Sequence, residues 1–177
     1  MVQPFSAAAG ILVLMLLAAC APLTAGRCVR GDCTEGDGTF RWPDGEVYRG
    51  DFAEGFPHGS GRHTWPDGRE FVGTYVEGQI SGRGVMRWPD GSSYDGEWLA
   101  GRFHGWGIRS WPDGRKYAGD YVGGVASGWG TMTWPDGQKY DGEYAEDQPN
   151  GRGKLTHADG RVVSGMWQDG KLQREAP

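Results

Sequence analysis

The sequence repeats itself every 23 residues over most of its length. The tetrapeptide Trp-Pro-Asp-Gly occurs five times at this spacing, and a degenerate sixth copy begins at His157. The five copies begin at Trp42, Trp65, Trp88, Trp111 and Trp134. Self-similarity at a fixed period of this length indicates an array of small stacked units rather than one globular core. The period therefore constrains the fold before composition is considered.

Aromatic residues and glycines recur at fixed positions within each unit. Six residues after each Trp or its equivalent lie Tyr48, Phe71, Tyr94, Tyr117, Tyr140 and Val163, and four residues further on lie Phe52, Tyr75, Trp98, Tyr121, Tyr144 and Trp167. Gly-x-Gly pairs begin at Gly36, Gly59, Gly82, Gly105, Gly128 and Gly151. Together with Gly50 and its five counterparts, the Asp-Gly glycines and the loop glycines, these columns hold 29 of the 33 glycines. With the Trp of Trp-Pro-Asp-Gly they hold 16 of the 22 aromatic residues. The buried apolar surface of this chain must therefore come mainly from aromatic side chains.

Each unit is predicted to form a β-hairpin. In Trp-Pro-Asp-Gly the proline presets a type I turn, the aspartate suits its second central position, and the glycine supplies the positive φ of a three-residue hairpin loop. Tyr48, Gly50 and Phe52 then alternate with more polar residues, so one face of the strand is aromatic. We expect the glycine to leave room for a ring from a neighbouring unit. The predicted fold is an all-β, single-layer antiparallel β-hairpin solenoid, a twisted meander of about six 23-residue repeats.

The repeat resembles a known family, the MORN (membrane occupation and recognition nexus) repeat. The family pattern is Tyr-x-Gly-x-aromatic, a loop glycine, Gly-x-Gly and Asp-Gly, and residues 94–98, Gly101, residues 105–107 and residues 113–114 carry it in full. The resemblance implies a meander of short hairpins. It also implies a scaffold or contact surface, with phospholipid binding as a further possibility. Since repeats fill almost all of the sequence after residue 35, we expect no enzymatic activity and no cofactor.

The first twenty residues differ in composition from the rest. Residues 7–19 form an apolar run of about 13 residues, too short to span a bilayer, which needs roughly 20. The run ends in Leu17-Ala18-Ala19-Cys20, which resembles the lipobox of bacterial lipoproteins. That resemblance implies a signal peptide at 1–19, lipidation of Cys20 and a membrane anchor. With Ala21 rather than Asp in the next position, it implies an outer-membrane lipoprotein that faces the periplasm of the cell envelope.

Two further cysteines follow the proposed anchor. Cys28 and Cys33 are separated by four residues, and an oxidising compartment favours a small disulfide over a metal site because suitable further ligands are missing nearby. Two free thiols in a flexible tether are the alternative. We expect a linker over 20–35, the repeat solenoid over 36–172 and a short tail over 173–177.

Catalytic and metal chemistry find little support in the sequence. The four histidines, His58, His63, His104 and His157, each occupy a repeat position that other units fill with unrelated residues, so no metal site is expected. The recurring aspartates are the preferred residues of their turns. A net charge of −5 provides no electrostatic attraction for nucleic acid.

Residues that depart from the repeat without being needed by its fold are candidates for function. Phe56 and Phe103 are predicted in loops, where other units have glutamine or valine. Arg83, Trp106, Trp129 and Arg152 lie inside the Gly-x-Gly pairs and are predicted to form a stripe on the face opposite the Trp column. The stripe could contact an envelope protein, stack on a glycan, or pack against the chain's own termini. We predict a non-catalytic binding or scaffold lipoprotein; the alternatives are contact with lipid headgroups and a structural spacer.

Overall fold

The computed structural model describes residues 26–176, so the proposed signal peptide and Cys20 lie outside the described residues. These residues form one antiparallel sheet in which the strands follow each other in chain order. The strands are β1 (Arg27–Gly31), β2 (Gly36–Arg41), β3 (Val47–Ala53), β4 (Phe56–Thr64), β5 (Glu70–Val76), β6 (Gln79–Arg87), β7 (Ser93–Leu99), β8 (Arg102–Ser110), β9 (Lys116–Val122), β10 (Val125–Thr133), β11 (Lys139–Ala145), β12 (Gln148–Thr156), β13 (Val162–Gln168) and β14 (Lys171–Glu175). The described part of the chain contains no helix. The predicted all-β meander of hairpins is confirmed.

The sheet is longer at both ends than the repeat pattern predicts. Strand β1 lies within the segment assigned to the linker, and β14 continues beyond residue 172 to Glu175. Both strands pair through backbone hydrogen bonds with a repeat strand, as in the register Cys28↔Phe40 and Met166↔Arg174. Backbone pairing needs no aromatic period, so these edge strands leave little signal in the sequence.

The Trp-Pro-Asp-Gly segments form the three-residue loops that the sequence predicts. In the first unit, the Gly45 amide donates to the Trp42 carbonyl at 3.1 Å and the Trp42 amide donates to the Glu46 carbonyl at 3.0 Å. Gly45 has φ 99°, and the Asp44 carboxylate accepts the Glu46 amide at 3.0 Å. The same backbone bonds recur in the other five units, which fixes one long edge of the sheet.

At the opposite edge the strands are joined by two-residue loops in which both φ angles are positive. Glu54 and Gly55 have φ 51° and 79°, which is the type I′ geometry that matches the twist of a hairpin. Asp147 occupies the second position in its unit at φ 64°. Its Oδ1 accepts the amide of Ala126 in the preceding unit at 2.8 Å, and this bond offsets the backbone strain of a non-glycine residue there.

The core is a continuous ladder of rings along one face of the sheet. Each ring of the two aromatic columns meets its neighbours edge to face, with centroids 5.0–5.5 Å apart and planes at 79–89°. The ladder runs in the order Phe52, Tyr48, Tyr75, Phe71, Trp98, Tyr94, Tyr121, Tyr117, Tyr144, Tyr140, Trp167. Every second contact joins two units. Edge-to-face geometry is the favoured arrangement for aromatic pairs, so the same rings build each hairpin and hold it to the next.

The glycines between the rings make room for a ring of their own hairpin. Gly96 and Gly107 pair across β7 and β8, and a Cβ added to Gly107 would overlap the Tyr94 ring. We expected a neighbouring unit's ring to fill this space. The structure places the ring of the same unit there instead, because the aromatic residue lies two positions from the glycine on the same face of the strand.

Candidate functional site

The face of the sheet opposite the ladder carries the four residues predicted to form a stripe. Trp106 and Trp129 are 48% and 58% exposed, the Arg83 side chain is 82% exposed, and Arg152 is exposed as well. They lie on β8, β10, β6 and β12, at the position between the two glycines of each pair. We call these four residues the tryptophan row.

Carboxylates on the intervening strands alternate with the row. Trp106 lies opposite Asp120 and Trp129 lies opposite Glu143 in the sheet register. Arg83 lies opposite Glu97, at 3.8 Å from its carboxylate. Strands two apart in a sheet are separated by roughly 10 Å, so the two rings stand side by side with a carboxylate between them.

A bulge at each Gly-x-Gly pair fixes the direction of these side chains. The register of β9 and β10 shifts between Ala126 and Gly130, and Gly128 has φ 107°. The Trp129 amide donates to Asp120 Oδ2 at 3.0 Å. The Ser60 amide makes the corresponding bond to Asp51 at 2.9 Å. Because bulges commonly re-aim a side chain, the acidic residue on the outgoing strand supports the exposed residue on the incoming one.

The row continues into a groove near the C-terminal edge of the sheet. Trp129, Arg152, Met166 and Arg174 contribute to its lining, and its volume is about 800 Å³. Met166 is 40% exposed. The groove therefore extends the apolar surface of Trp129 and places charged groups of both signs beside it, including Asp141 and Glu175.

Phe103 was predicted to be a loop contact residue, and the structure corrects this. Phe103 lies within β8 and pairs with Trp98 across the hairpin. Its ring stacks on Tyr94 at 3.8 Å and meets Tyr121 edge to face. Because the repeat position of Phe103 is that of Pro57 and not that of Phe56, it points to the opposite face of the strand.

Phe56 also lies in a strand rather than in a loop. It is the first residue of β4, pairs with Ala53 and is half-buried. Its ring lies beside Gly78 in the loop of the next unit. This contact joins two units, so Phe56 contributes less exposed surface than Trp106 or Trp129.

His63 is a core residue rather than a ligand. Its ring is stacked between Trp42 and Trp65, at centroid distances of 5.3 and 4.0 Å. Burial lowers the pKa of His63 to about 4, so the ring is neutral at pH 7 and its 3.2 Å contact with Glu46 is a hydrogen bond rather than an ion pair. We assign the proton to Nε2 because a carboxylate only accepts.

Metal-ligating side chains do not converge within residues 26–176. No group of three or more His, Cys, Asp or Glu residues in this range could hold a metal ion. His58 and His63, which lie on the same strand, occupy positions of opposite parity on β4. They therefore point to opposite faces of the sheet.

The two cysteines near the start of the sheet are close together. The structure joins Cys28 and Cys33 as a disulfide with their Cα atoms 5.8 Å apart. Cys33 is 9% exposed and belongs to the core cluster. The cysteine pair therefore lies at the N-terminal end of the buried aromatic face. That the bond forms in the cell stays a prediction.

The described residues include no helix that could span a membrane. The profile of the MORN repeat matches residues 35–47, 48–68, 71–93, 94–114, 117–139 and 140–160. The chain belongs to the MORN repeat family. A search of curated proteins finds no similar sequence.

Solved structures that are similar to the MORN sheet include domains of SAS-4 and CPAP. One is the TCP domain of SAS-4 (dCPAP) of Drosophila melanogaster in complex with a proline-rich motif of Ana2, with 12% identity, a TM-score of 0.36 and coverage of 94% of this chain and 99% of that one. Another is the G-box domain of the microcephaly protein CPAP, with 19% identity, a TM-score of 0.42 and coverage of 76% and 82%. A third is the TCP10 domain of Danio rerio CPAP carrying the E1021V change, with 20% identity, a TM-score of 0.35 and coverage of 78% and 71%.

Sequence reasoning missed two notable residues on the aromatic face of the MORN sheet. Arg109 lies over the rings of Phe103 and Trp111, in a column otherwise filled by uncharged residues or by neutral His63. Asp147 occupies a loop-glycine position and bonds to the preceding unit. Each departs from its own repeat column, and that departure is the signal that could have identified it.

Proposed function

We propose that this MORN-repeat chain is a non-catalytic lipoprotein of the cell envelope, which presents the tryptophan row to an envelope protein or glycan. The observation that carries the proposal is the exposure of Trp106 (48%) and Trp129 (58%). Both lie on the face of the sheet opposite the buried aromatic ladder. The same position holds Ser60, Arg83 and Arg152 in other units. The sheet therefore does not need a ring there, and exposed Trp beside Arg is typical of contact surfaces.

A lipid surface is a weaker candidate for the ligand of the row. The chain carries a net charge of −5, and Asp120, Glu97 and Glu143 lie opposite or beside the row in the register. Anionic headgroups would be repelled by these carboxylates. In a flotation assay we expect the mature Cys20→Ser protein to stay unbound to anionic vesicles, and strong salt-sensitive flotation would favour the lipid alternative.

The lipobox supports membrane attachment through Cys20, with Ala21 consistent with the outer membrane and a periplasmic orientation. Labelling of growing cells with a radioactive fatty acid should mark the wild-type protein and leave Cys20→Ser unmarked. Equal labelling of both proteins would show that Cys20 is not the lipidated residue.

Site-specific crosslinking tests the row itself. A photo-crosslinking phenylalanine derivative at position 106 or 129 should yield one and the same adduct in the envelope. The same derivative at position 60, which occupies the equivalent place in a unit without a surplus ring, is the matched control. Adducts of equal yield from position 60 would show that the row is not selective.

The double variant Trp106→Ser, Trp129→Ser completes the test. Because Ser60 already occupies this position in the sheet, we expect an unchanged melting temperature and loss of the partner identified by crosslinking. Full retention of that partner by the folded variant would eliminate the row as the contact surface. A collapsed melt would show that the two rings stabilise the sheet.

A further inference from the structure

Arg109 is an unusual residue on the aromatic face of the sheet. Its column otherwise contains Phe40, His63, Met86, Met132 and Leu155. The guanidinium carbon lies 5.5 Å from the centroid of Phe103 and 5.0 Å from that of Trp111. Arg109 is thus the one permanent charge in a column of hydrophobic residues and a neutral histidine.

The guanidinium has no direct hydrogen-bond or ion-pair partner among the described residues, although its charge helps to lower the pKa of Asp90. Arg109 forms no ion pair with any of them, and its buried Nε has no hydrogen-bond acceptor among them. Leaving a buried donor without an acceptor is unfavourable. Contact with two aromatic rings compensates the charge only in part.

A hollow lies beside Arg109 where the next unit has a small residue. Ala126 occupies the position that holds Pro57, Ile80, Phe103, Pro149 and Leu172 in other units. The hollow has a volume of about 290 Å³ and is walled by Ala126 together with the rings of Trp111, Tyr117, Tyr121 and Tyr144. This volume lies just below the lower end of the size range of ligand pockets, so it suits a small ligand.

The other charged groups of the hollow already have partners. Arg115 lies 5.3 Å from the centroid of Trp111, and its Nε donates to Asp113 at 2.7 Å. Asp147 lines the hollow as well, and one of its oxygens accepts the amide of Ala126. Arg109 and Arg115 together outweigh the carboxylate of Asp147 in the lining, and Arg109 is the cation without a direct acceptor, so the hollow favours an anion that reaches Arg109.

We infer that the hollow binds a small molecule that carries a carboxylate on a flat apolar body. The carboxylate accepts the two terminal N–H groups of Arg109, because Nε is covered by the protein itself, and a planar two-oxygen acceptor is the best geometric match for that pair. The apolar body packs against Trp111 and the tyrosines. This site lies on the face opposite the tryptophan row, so it goes beyond the proposed function and does not depend on it.

The Nε–H of Arg109 is a reporter for this site, because it is buried and belongs to the same guanidinium as the terminal N–H groups. The probe is 3-phenylpropionate, and the matched control probe is its neutral amide, which has the same shape and no charge. In ¹⁵N-resolved NMR spectra we expect the acid to shift the Arg109 Nε–H resonance in a saturable way and the amide to leave it in place.

Substitution of Arg109 by methionine is the matched variant, because Met86 and Met132 occupy the same column. Arg109→Met should stay folded and bind the acid at least about tenfold more weakly, which corresponds to about 1.4 kcal/mol. Arg62→Met is the control. Arg62 is exposed on the opposite face, where it pairs with Glu70, so its loss should leave the affinity unchanged.

The inference is overturned if the acid gives no saturable shift, if the amide binds as well as the acid, or if Arg109→Met binds as well as wild type. The comparison of acid with amide uses only the wild-type protein. It therefore decides the question even if Arg109→Met does not fold.

Discussion

The column that contains Arg109 also contains His63, and this residue shows how one side chain couples the fold to pH. His63 accepts a hydrogen bond from Tyr75 at Nδ1, with 3.4 Å between the atoms, and donates through Nε2 to Glu46. Both contacts suit the neutral ring. Burial lowers the pKa of His63 to about 4, with Arg69 adding to the effect.

We predict that the sheet loses stability as the pH falls below about 6.5. The unfolded chain takes up a proton at His63 near its ordinary pKa, whereas the folded protein takes it up only near 4, so stability rises with pH between these values. The free energy of unfolding should fall by about 1 to 2 kcal/mol between pH 7 and 4.5. Denaturant melts over this range measure it.

His63→Met is the control for this prediction, since methionine occupies the same column in two other units. Burial raises the pKa of Glu46, which opposes the effect of His63, so the difference between the two proteins is the decisive quantity. Parallel stability curves for wild type and His63→Met would contradict the assignment.

Gly107 tests the packing of a ring on the glycine pair. A Cβ there would overlap the rigid Tyr94 ring, so Gly107→Ala should lower the free energy of unfolding by about 2 to 3 kcal/mol. The control is Gly101→Asn, at a loop position with open space and φ 77°. Asparagine tolerates this backbone region, so the control should lose about 1 kcal/mol or less in denaturant melts; equal losses would contradict the packing argument.

Among single residues, the sequence predicted the ring columns and the exposed row, but it misplaced Phe103. The error arose because Phe103 was aligned with Phe56, one position away from its true repeat counterpart Pro57. A shift of one residue along a strand moves the side chain to the other face. Arg109 departs visibly from its repeat column, but its lack of a direct partner appears only once the neighbouring rings are placed.

At the scale of the strand and turn, the loops at the two ends of the strands differ in how well their local sequence predicts their conformation. Trp-Pro-Asp-Gly contains the residues that its turn requires, and the predicted three-residue loop is confirmed. The opposite loops place Glu54, Glu77, Ala100 and Glu146 at positive φ. Local preference alone does not predict this geometry for these residues. It arises because strands already paired on both sides leave only two residues to connect them.

Strand β1 is the element whose stability depends most on a covalent bond. Its residues are all exposed, so it buries little apolar surface and is joined to the sheet by backbone pairing and by Cys28. We predict that Cys28 and Cys33 are bridged in the exported protein. Alkylation of the denatured, unreduced protein should then modify neither thiol, and two modified thiols would refute the bridge.

Reduction should act locally. Closing a loop of this size contributes about 2 kcal/mol in the chain-entropy model, and a terminal strand can open without global unfolding. Hydrogen exchange should therefore speed up over residues 27–41 after reduction and remain unchanged from β7 onward. Cys28→Ser should show the same local pattern without reductant, and uniform acceleration along the chain would contradict a local role.

At the scale of the whole molecule, the sheet is a linear array. Extensive contacts between the described strands join only strands adjacent in the chain, and the ladder adds ring contacts to the next unit, such as Tyr48–Tyr75 and Phe71–Trp98. Stability of such an array is roughly a sum of unit and neighbour contributions. The period of 23 residues predicted this architecture directly, whereas the ligand of either face depends on single departures from the repeat.

We predict that one complete unit can be removed without loss of the fold. Deletion of residues 71–93 joins Glu70 to Tyr94, removes β5 and β6, and brings Tyr94 opposite His63 in place of Phe71. The shortened chain should show the same far-UV circular dichroism per residue and a cooperative melt at a lower temperature. The deletion removes Arg83 from the tryptophan row and leaves Trp106, Trp129 and Arg152 in place. Partner binding through Trp106 and Trp129 should therefore persist.

The matched control removes a single strand. Deletion of residues 77–87 takes out one type I′ loop and β6, which leaves β5 joined through the Trp-Pro-Asp-Gly turn to β7. An antiparallel meander that loses one strand can continue only if the rest of the sheet turns over, because every later strand must reverse its direction. The rings of the two halves would then lie on opposite faces, and the ladder would be broken between Phe71 and Trp98. We expect this variant to lose its cooperative melt although it loses fewer residues than the full-unit deletion, and an equally cooperative melt for both deletions would show that neighbour contacts along the ladder do not hold the array together.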